Sequence, residues 1–238
     1  MRFAAGLLLL ALTLAGCESN EERSAALAKH AHHQQRAEAG LSITHPSPYV
    51  KVTGTALLQS SEGAAAVVTL RNVSANALRD LPIAITVKGP GSGTLYQNNS
   101  PGLEAGLTAL ALLPAHGEAT WVDDQVPTSS GPATVSAVVG EAPILHGAAP
   151  QIEVQGVHAS EESGTGAGAA GTVRNRSNVA QQRLVVYGLA RQGRRIVAAG
   201  RAVLPEVAAG ASVPFQAFLV GMATGAKLEA SAPATTFE

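Results

Sequence analysis

The sequence has few of the residues on which disulfide frameworks and stacking surfaces depend. It contains one cysteine, Cys17, one tryptophan, Trp121, and only 3% aromatic residues. A single cysteine excludes an intramolecular disulfide, and scarce aromatics limit the stacking surfaces that carbohydrate binding uses. The formal net charge is −1, and Lys and Arg are scattered along the chain. Because nucleic-acid binding needs a basic surface, we expect no nucleic-acid partner.

The first residues have the pattern of an export signal. Met1 and Arg2 give a positive start, residues 3–14 carry no charge, and Ala15 and Gly16 are small. The apolar run is shorter than the roughly 20 residues that a membrane-spanning helix needs. The sequence therefore predicts a signal peptide over residues 1–16.

Its last residues, Leu14-Ala15-Gly16-Cys17, resemble the lipobox of bacterial lipoproteins. This resemblance implies cleavage between Gly16 and Cys17, and a diacylglyceryl group on the Cys17 thiol. Two acyl chains make a durable anchor where a single chain binds only marginally. The implied protein is extracytoplasmic and is held on the cell membrane by lipid through acylated Cys17. A soluble secreted protein with an incidental cysteine is the alternative.

Residues 17–45 are predicted to be a polar tether behind the lipidated cysteine. Residues 18–39 lack Pro and Gly, and their apolar residues form no stripe at helical spacing. His30, His32 and His33 make the only histidine cluster of the sequence. Imidazoles at this density can gather Zn, Cu or Ni, but a structural zinc site needs four positioned ligands. A solvated tether is the favoured interpretation, and a metal-gathering or solute-binding lipoprotein is the alternative.

From Tyr49 onward the hydrophobic period is two. Leu81, Ile83, Ile85 and Val87 fall on one face of a predicted strand. Turn-forming residues separate such runs at 60–63, 72–76, 89–93 and 114–117. No stretch past residue 40 shows helical spacing over ten residues, so the predicted class is all-β.

An internal repeat predicts two copies of one β-sandwich. Thr69-Leu70-Arg71-Asn72-Val73-Ser74 reappears as Thr172-Val173-Arg174-Asn175-Arg176-Ser177, and an apolar strand follows each copy. We interpret the Asn and Ser residues as turn formers and the arginines as solvated. The sequence predicts two tandem immunoglobulin-like β-sandwich domains, at 46–142 and 151–238, joined by a linker at 143–150.

The second copy resembles a small β-sandwich family named for its Phe-x-Leu-Tyr-Asp signature, the FxLYD domains. Tyr187-Gly188-Leu189-Ala190-Arg191 occupies the signature position, and Gln192-Gly193 follows as a hairpin turn. Ala190 and Arg191 depart from the Tyr and Asp of the family. The resemblance implies that Tyr187 and Leu189 point inward, and it implies no catalytic residues.

No convincing catalytic constellation is present in the sequence. Asp123-Asp124 and Glu161-Glu162 are adjacent pairs, whose side chains on a strand would point to opposite faces, and we expect both in surface loops. The glycine-rich stretch at 164–168 lacks the Lys and helix of a phosphate loop and is predicted to be a hairpin loop. The remaining histidines occur singly, at His45, His116, His146 and His158. We expect neither an enzyme nor a cofactor.

The first copy has about ten more residues than the second, within residues 89–106. Insertions between strands often carry recognition surfaces. Tyr96 lies within these residues and Trp121 follows them, and packing in the core is the favoured role of Trp121. The predicted function is a membrane-anchored, non-catalytic binding or assembly module of the cell envelope. Another envelope protein is its candidate partner, through sheet edges or the insertion.

Overall fold

The computed structural model describes residues 40–61, 63–127, 131–160 and 168–237. These residues form strands, turns and two short 3-10 turns, with no α-helix, which confirms the all-β prediction. The signal peptide, Cys17 and the tether histidines lie outside the described residues. So do Glu161-Glu162 and the loop at 164–167. Within the part that is described, no helix has the length and apolar character needed to span a membrane.

The first sandwich consists of two antiparallel sheets. One contains β1, β2 and β6, in that order, and the other is built around β3, which pairs with β4, β5 and β7. The alternating residues of β3 (Leu81, Ile83, Ile85 and Val87) are all buried, as the period of two predicts. The seven strands are β1 (Val50–Ser60), β2 (Gly63–Asn72), β3 (Leu78–Lys88), β4 (Thr94–Gln97), β5 (Ala109–Leu113), β6 (Glu118–Val126) and β7 (Thr134–Val139).

The second sandwich repeats this arrangement. One sheet has the order β8, β9, β12, and the other has the order β13, β11, β10, β14. Its strands are β8 (Ile152–Ser160), β9 (Gly168–Asn175), β10 (Gln181–Gln192), β11 (Arg195–Val207), β12 (Ser212–Phe218), β13 (Val220–Gly221) and β14 (Lys227–Ser231). The architecture is sandwich-like and consistent with an immunoglobulin-like fold.

The repeated Asn-x-Ser segment builds the same turn in both sandwiches. The Asn72 side chain donates to the carbonyl oxygens of Asn76 and Pro114 at 2.7 and 3.0 Å, and it accepts a bond from the Ser74 backbone N–H at 2.9 Å. Asn175 does the same from β9, donating to Val179 and Val207 at 2.8 and 3.1 Å. The turn-forming role is confirmed, and each asparagine also joins two distant segments of its own sandwich.

The two sandwiches differ where the first has its extra residues. The counterpart of the continuous strand β11 is divided into β4 and β5, and Asn98 lies fully buried in the gap. Its amide accepts from the Ile85 N–H at 2.7 Å and donates to the carbonyl oxygens of Ile83 and Leu107, both at 2.8 Å. One side chain therefore replaces the strand-to-strand hydrogen bonds that the interruption removes.

The two sandwiches pack face to face within one compact unit that runs from Gly40 to Glu238. The same hydrophobic core contains the 64–68 run of β2, which is buried on both faces, and the residues Val185, Tyr187, Leu189 and Ala199. Tyr187 and Leu189 are buried, as the family resemblance implies, but their side chains do not point into the core of the second sandwich. They face the first sandwich, because the opposite face of β10 fills the second core with Leu184 and Val186.

The segment between the two predicted domains is bound to the first sandwich. The Arg79 N–H donates to Pro143 and the Leu145 N–H donates to Ala77, at 3.0 and 2.8 Å. The domain boundaries themselves remain predictions.

Candidate functional site

Three charged side chains meet where the sandwiches pack together, and we call Arg201, Asp124 and Glu104 the junction cluster. The Arg201 Nε lies 2.9 Å from Asp124 Oδ1, and its Nη2 lies 3.1 Å from Glu104 Oε2. The Arg201 backbone N–H also donates to Asp124 Oδ2, at 3.0 Å. Asp124 comes from β6 and Glu104 from the segment that interrupts the first sandwich. A residue of the second sandwich is thus held by two carboxylates of the first.

Burial makes this cluster unusual among the ion pairs of the described residues. The Arg201 side chain is 3% exposed, while those of Asp124 and Glu104 are 18% and 22% exposed. Burial alone would lower the Arg201 pKa, but the charges and hydrogen bonds of Asp124 and Glu104 outweigh it and raise that pKa above its usual value. The guanidinium is therefore charged, and the cluster is an electrostatic clamp between the sandwiches.

One nitrogen of the clamp has no partner among the described residues. Arg201 Nη1 is buried without a hydrogen bond. A Cβ atom on Gly106 would lie 3.1 Å from Nη1 and 2.9 Å from the Val185 side chain. Glycine at position 106 therefore lets the insertion close over the guanidinium.

Asp123, next to Asp124, has its side chain inside the first sandwich. Asp123 is fully buried, and its Oδ2 accepts a 2.9 Å bond from the Tyr96 hydroxyl. Burial raises the pKa of Asp123, and burial together with the nearby Asp123 charge raises that of Tyr96. The expected surface-loop location of Asp123-Asp124 is therefore wrong. Both residues belong to β6, and strand alternation sends one into the core and the other to the junction.

The insertion at 89–106 contributes to the fold as well as to the surface. Trp121 is fully buried, which confirms its predicted core role, and its indole N–H donates to the Gly106 carbonyl at 2.9 Å. Asn98 and Glu104, described above, anchor the same segment. Leu95, with 51% of its surface exposed, remains available on the outside of the insertion.

A cleft opens between the two sandwiches, and we call it the junction cleft. Its volume is about 380 Å³, and its walls come from both sandwiches. Tyr187 lines this cleft and also a second cavity of about 210 Å³. Sequence reasoning did not find either cavity, because their walls come from segments far apart in the chain.

The histidines of the described part do not converge. The His45 ring bonds the hydroxyl of its neighbour Thr44, at 3.0 Å, and the His158 ring bonds the Gly156 carbonyl, at 2.7 Å. Over the described ranges, no group of three or more His, Cys, Asp or Glu residues has the geometry to hold a metal ion.

No family model matches the chain, and the search of curated proteins found no match.

Proposed function

We propose that the protein is an extracytoplasmic lipoprotein, anchored through acylated Cys17, whose paired sandwiches act as a non-catalytic binding or assembly module of the cell envelope. The observation that carries the anchor is Leu14-Ala15-Gly16-Cys17 directly after an uncharged run. The FxLYD resemblance of the second sandwich belongs to the same proposal.

The junction cluster supports the non-catalytic part. Arg201 is the most buried charged side chain among the described ion pairs, and it bonds to carboxylates that hold two sandwiches together. The buried asparagines, Asn72, Asn98 and Asn175, likewise satisfy backbone groups of the fold. Buried polar side chains whose hydrogen bonds are all made within the fold make that fold more rigid. A rigid pair of sandwiches is suited to presenting a surface to a binding partner.

Metabolic labelling with palmitate tests the anchor. We expect label on the wild-type chain and on a Ser19→Ala control, and none on Cys17→Ser, because only the thiol at position 17 can be alkylated. Mass spectrometry of the native protein should find a chain that begins at acylated Cys17. Undiminished labelling of Cys17→Ser, or an intact leader, would contradict the anchor.

Crosslinked pull-down from envelope extracts tests the partner. Deleting the whole insertion would disturb Asn98 and Glu104, so we choose single changes on its exposed part. If the insertion carries the interaction, Leu95→Ser should lose the partner, while Phe218→Ser, at a position 61% exposed on the second sandwich, should retain it. Equal recovery with both variants would count against the insertion.

The metal-gathering alternative depends on His30, His32 and His33. Titration calorimetry with Zn and Cu distinguishes it, because replacing all three by Ala should abolish binding. Absence of binding by the wild-type chain would remove this alternative.

A further inference from the structure

The junction cleft has the size and lining of a small-molecule site. Its volume of about 380 Å³ falls in the range of ligand pockets, roughly 300–1,000 Å³, and such pockets commonly form where two domains meet. Aliphatic residues line it, with Leu110 and Leu112 from the first sandwich, Ile152 and Val154 from β8, and Ala232 and Pro233 from the C-terminal segment, while polar atoms make up about half of its accessible wall. Such a wall can accept the aliphatic body of a ligand together with one of its polar groups.

Tyr187 supplies a polar group to this cleft. Its backbone is paired on both sides, with Arg201 of β11 and Ser231 of β14, and its side chain is almost fully buried. Among the described residues no group forms a hydrogen bond with its hydroxyl. Burial raises the pKa of Tyr187, so the hydroxyl keeps its proton at neutral pH and can donate it. An incoming acceptor that reaches this hydroxyl through the cleft would give it a hydrogen bond that the fold does not supply.

The charges around the cleft decide the kind of ligand. The lining contains Glu118 and no Lys, Arg or His. A carboxylate or phosphate on the ligand would find no cation in this lining, and the nearby charge of Arg201, which also acts on Tyr187, is already paired with Asp124 and Glu104. Burying such an anion without a counter-ion would be unfavourable. A neutral acceptor, such as an ester or amide carbonyl, has no such cost.

We propose that the junction cleft binds a small uncharged molecule with an aliphatic body and a carbonyl oxygen that accepts the Tyr187 hydroxyl hydrogen bond. This site goes beyond the proposed anchor and does not depend on it.

Methyl hexanoate and hexanoate form a matched pair of probes, since they share an aliphatic chain and differ in charge. The protein for the test is the chain 17–238 carrying Cys17→Ser, which keeps the whole unit from Gly40 onward and needs no detergent. Binding is followed by NMR through the amide signals of Thr120, Ala230 and Ala232, all of which line the cleft. Methyl hexanoate should give saturable shifts, and hexanoate at pH 7.5 should bind at least about tenfold more weakly.

Two variants test the site itself. Tyr187→Phe should weaken methyl hexanoate binding about fivefold, the effect of one net hydrogen bond, and leave the Tm unchanged because the hydroxyl bonds nothing in the fold. Tyr49→Phe, at an exposed tyrosine, should change neither quantity. Ala230→Leu should narrow the cleft and abolish binding.

The proposal is overturned if methyl hexanoate gives no saturable shifts, if hexanoate binds equally well, or if Tyr187→Phe retains full affinity. Because this protein carries no acyl chain, these outcomes are independent of the labelling result at Cys17.

Discussion

Replacing Arg201 by methionine is expected to destabilise the protein strongly, because it removes the buried cation of the junction cluster and the ion-pair partner of Asp124. Methionine preserves much of the side-chain length, so the change is mainly a loss of charge and hydrogen bonds. Removing one partner of a buried ion pair typically costs about 3–5 kcal/mol. Asp124 and Glu104 retain 18% and 22% exposure and can regain some hydration. We therefore expect the low end of that range, about 3 kcal/mol.

Urea unfolding, followed by tryptophan fluorescence, measures this loss, since the single Trp121 lies in β6 close to the cluster. With a denaturant slope of about 3 kcal/mol/M, the midpoint should fall by about 1 M. The same substitution in a background of Asp124→Asn and Glu104→Gln should cost much less, because no carboxylate is left unpaired there.

Arg183→Met is the matched control. Arg183 also lies 3.1 Å from a Glu104 oxygen, but its side chain is 68% exposed. Exposed pairs contribute about 0–1 kcal/mol, so its midpoint should scarcely move. Equal effects of the two arginine variants, or an undiminished Arg201→Met effect in the neutral background, would refute the assignment of the cluster as a clamp.

Two further changes test buried polar groups. Asn98→Ala should lower the free energy of unfolding by about 3 kcal/mol, since it leaves the Ile85 N–H and the carbonyl groups of Ile83 and Leu107 without the bonds that Asn98 makes. Asn99→Ala, at an exposed position, should change the free energy of unfolding by less than about 0.5 kcal/mol. Similar losses for the two variants would contradict the role of Asn98. Burial raises the pKa of Asp123 in the folded protein above the value of about 3.9 that it has in the unfolded chain. The contribution of Asp123 to the free energy of unfolding is therefore fully present below about pH 3.9, and it is lost as the pH rises through the folded-state pKa. Because asparagine carries no charge, the free energy of unfolding of Asp123→Asn, measured with urea, should rise relative to that of the wild type between about pH 4 and pH 7. A difference between the two proteins that stays constant or shrinks over this range would contradict the effect of burial on Asp123.

Local pattern was sufficient to predict the strands and the repeat. In β3, apolar residues that face the core alternate with residues on the opposite face, so a few consecutive positions reveal the strand. The turns at Asn72 and Asn175 depend on side chains that bond backbone groups a few residues away. Both effects are encoded within short windows of sequence. The repeat extends even to backbone conformation, because the equivalent residues Asp80 and Arg183 both have positive φ, of 51° and 50°.

The junction depends on residues that are far apart in sequence, and local pattern could not place it. Asp124 and Arg201 are separated by 77 residues, so no window contains both. One signal was present: Arg201 is a lone charge in an otherwise apolar stretch of β11, and Asp123-Asp124 interrupts the apolar part of β6. A charge within a buried strand needs a partner, and that requirement indicates a contact without naming it.

The shared core limits how this chain could have evolved and how it can be divided. Each sandwich has one apolar sheet face buried against the other, with Val67 on the first sandwich and Leu189 on the second. A sandwich that folded alone would need polar residues on that face. A gene fragment that encoded either copy alone would produce a protein with an exposed apolar sheet face, which favours aggregation. The smallest portion that recombination could transfer to another protein is therefore the pair.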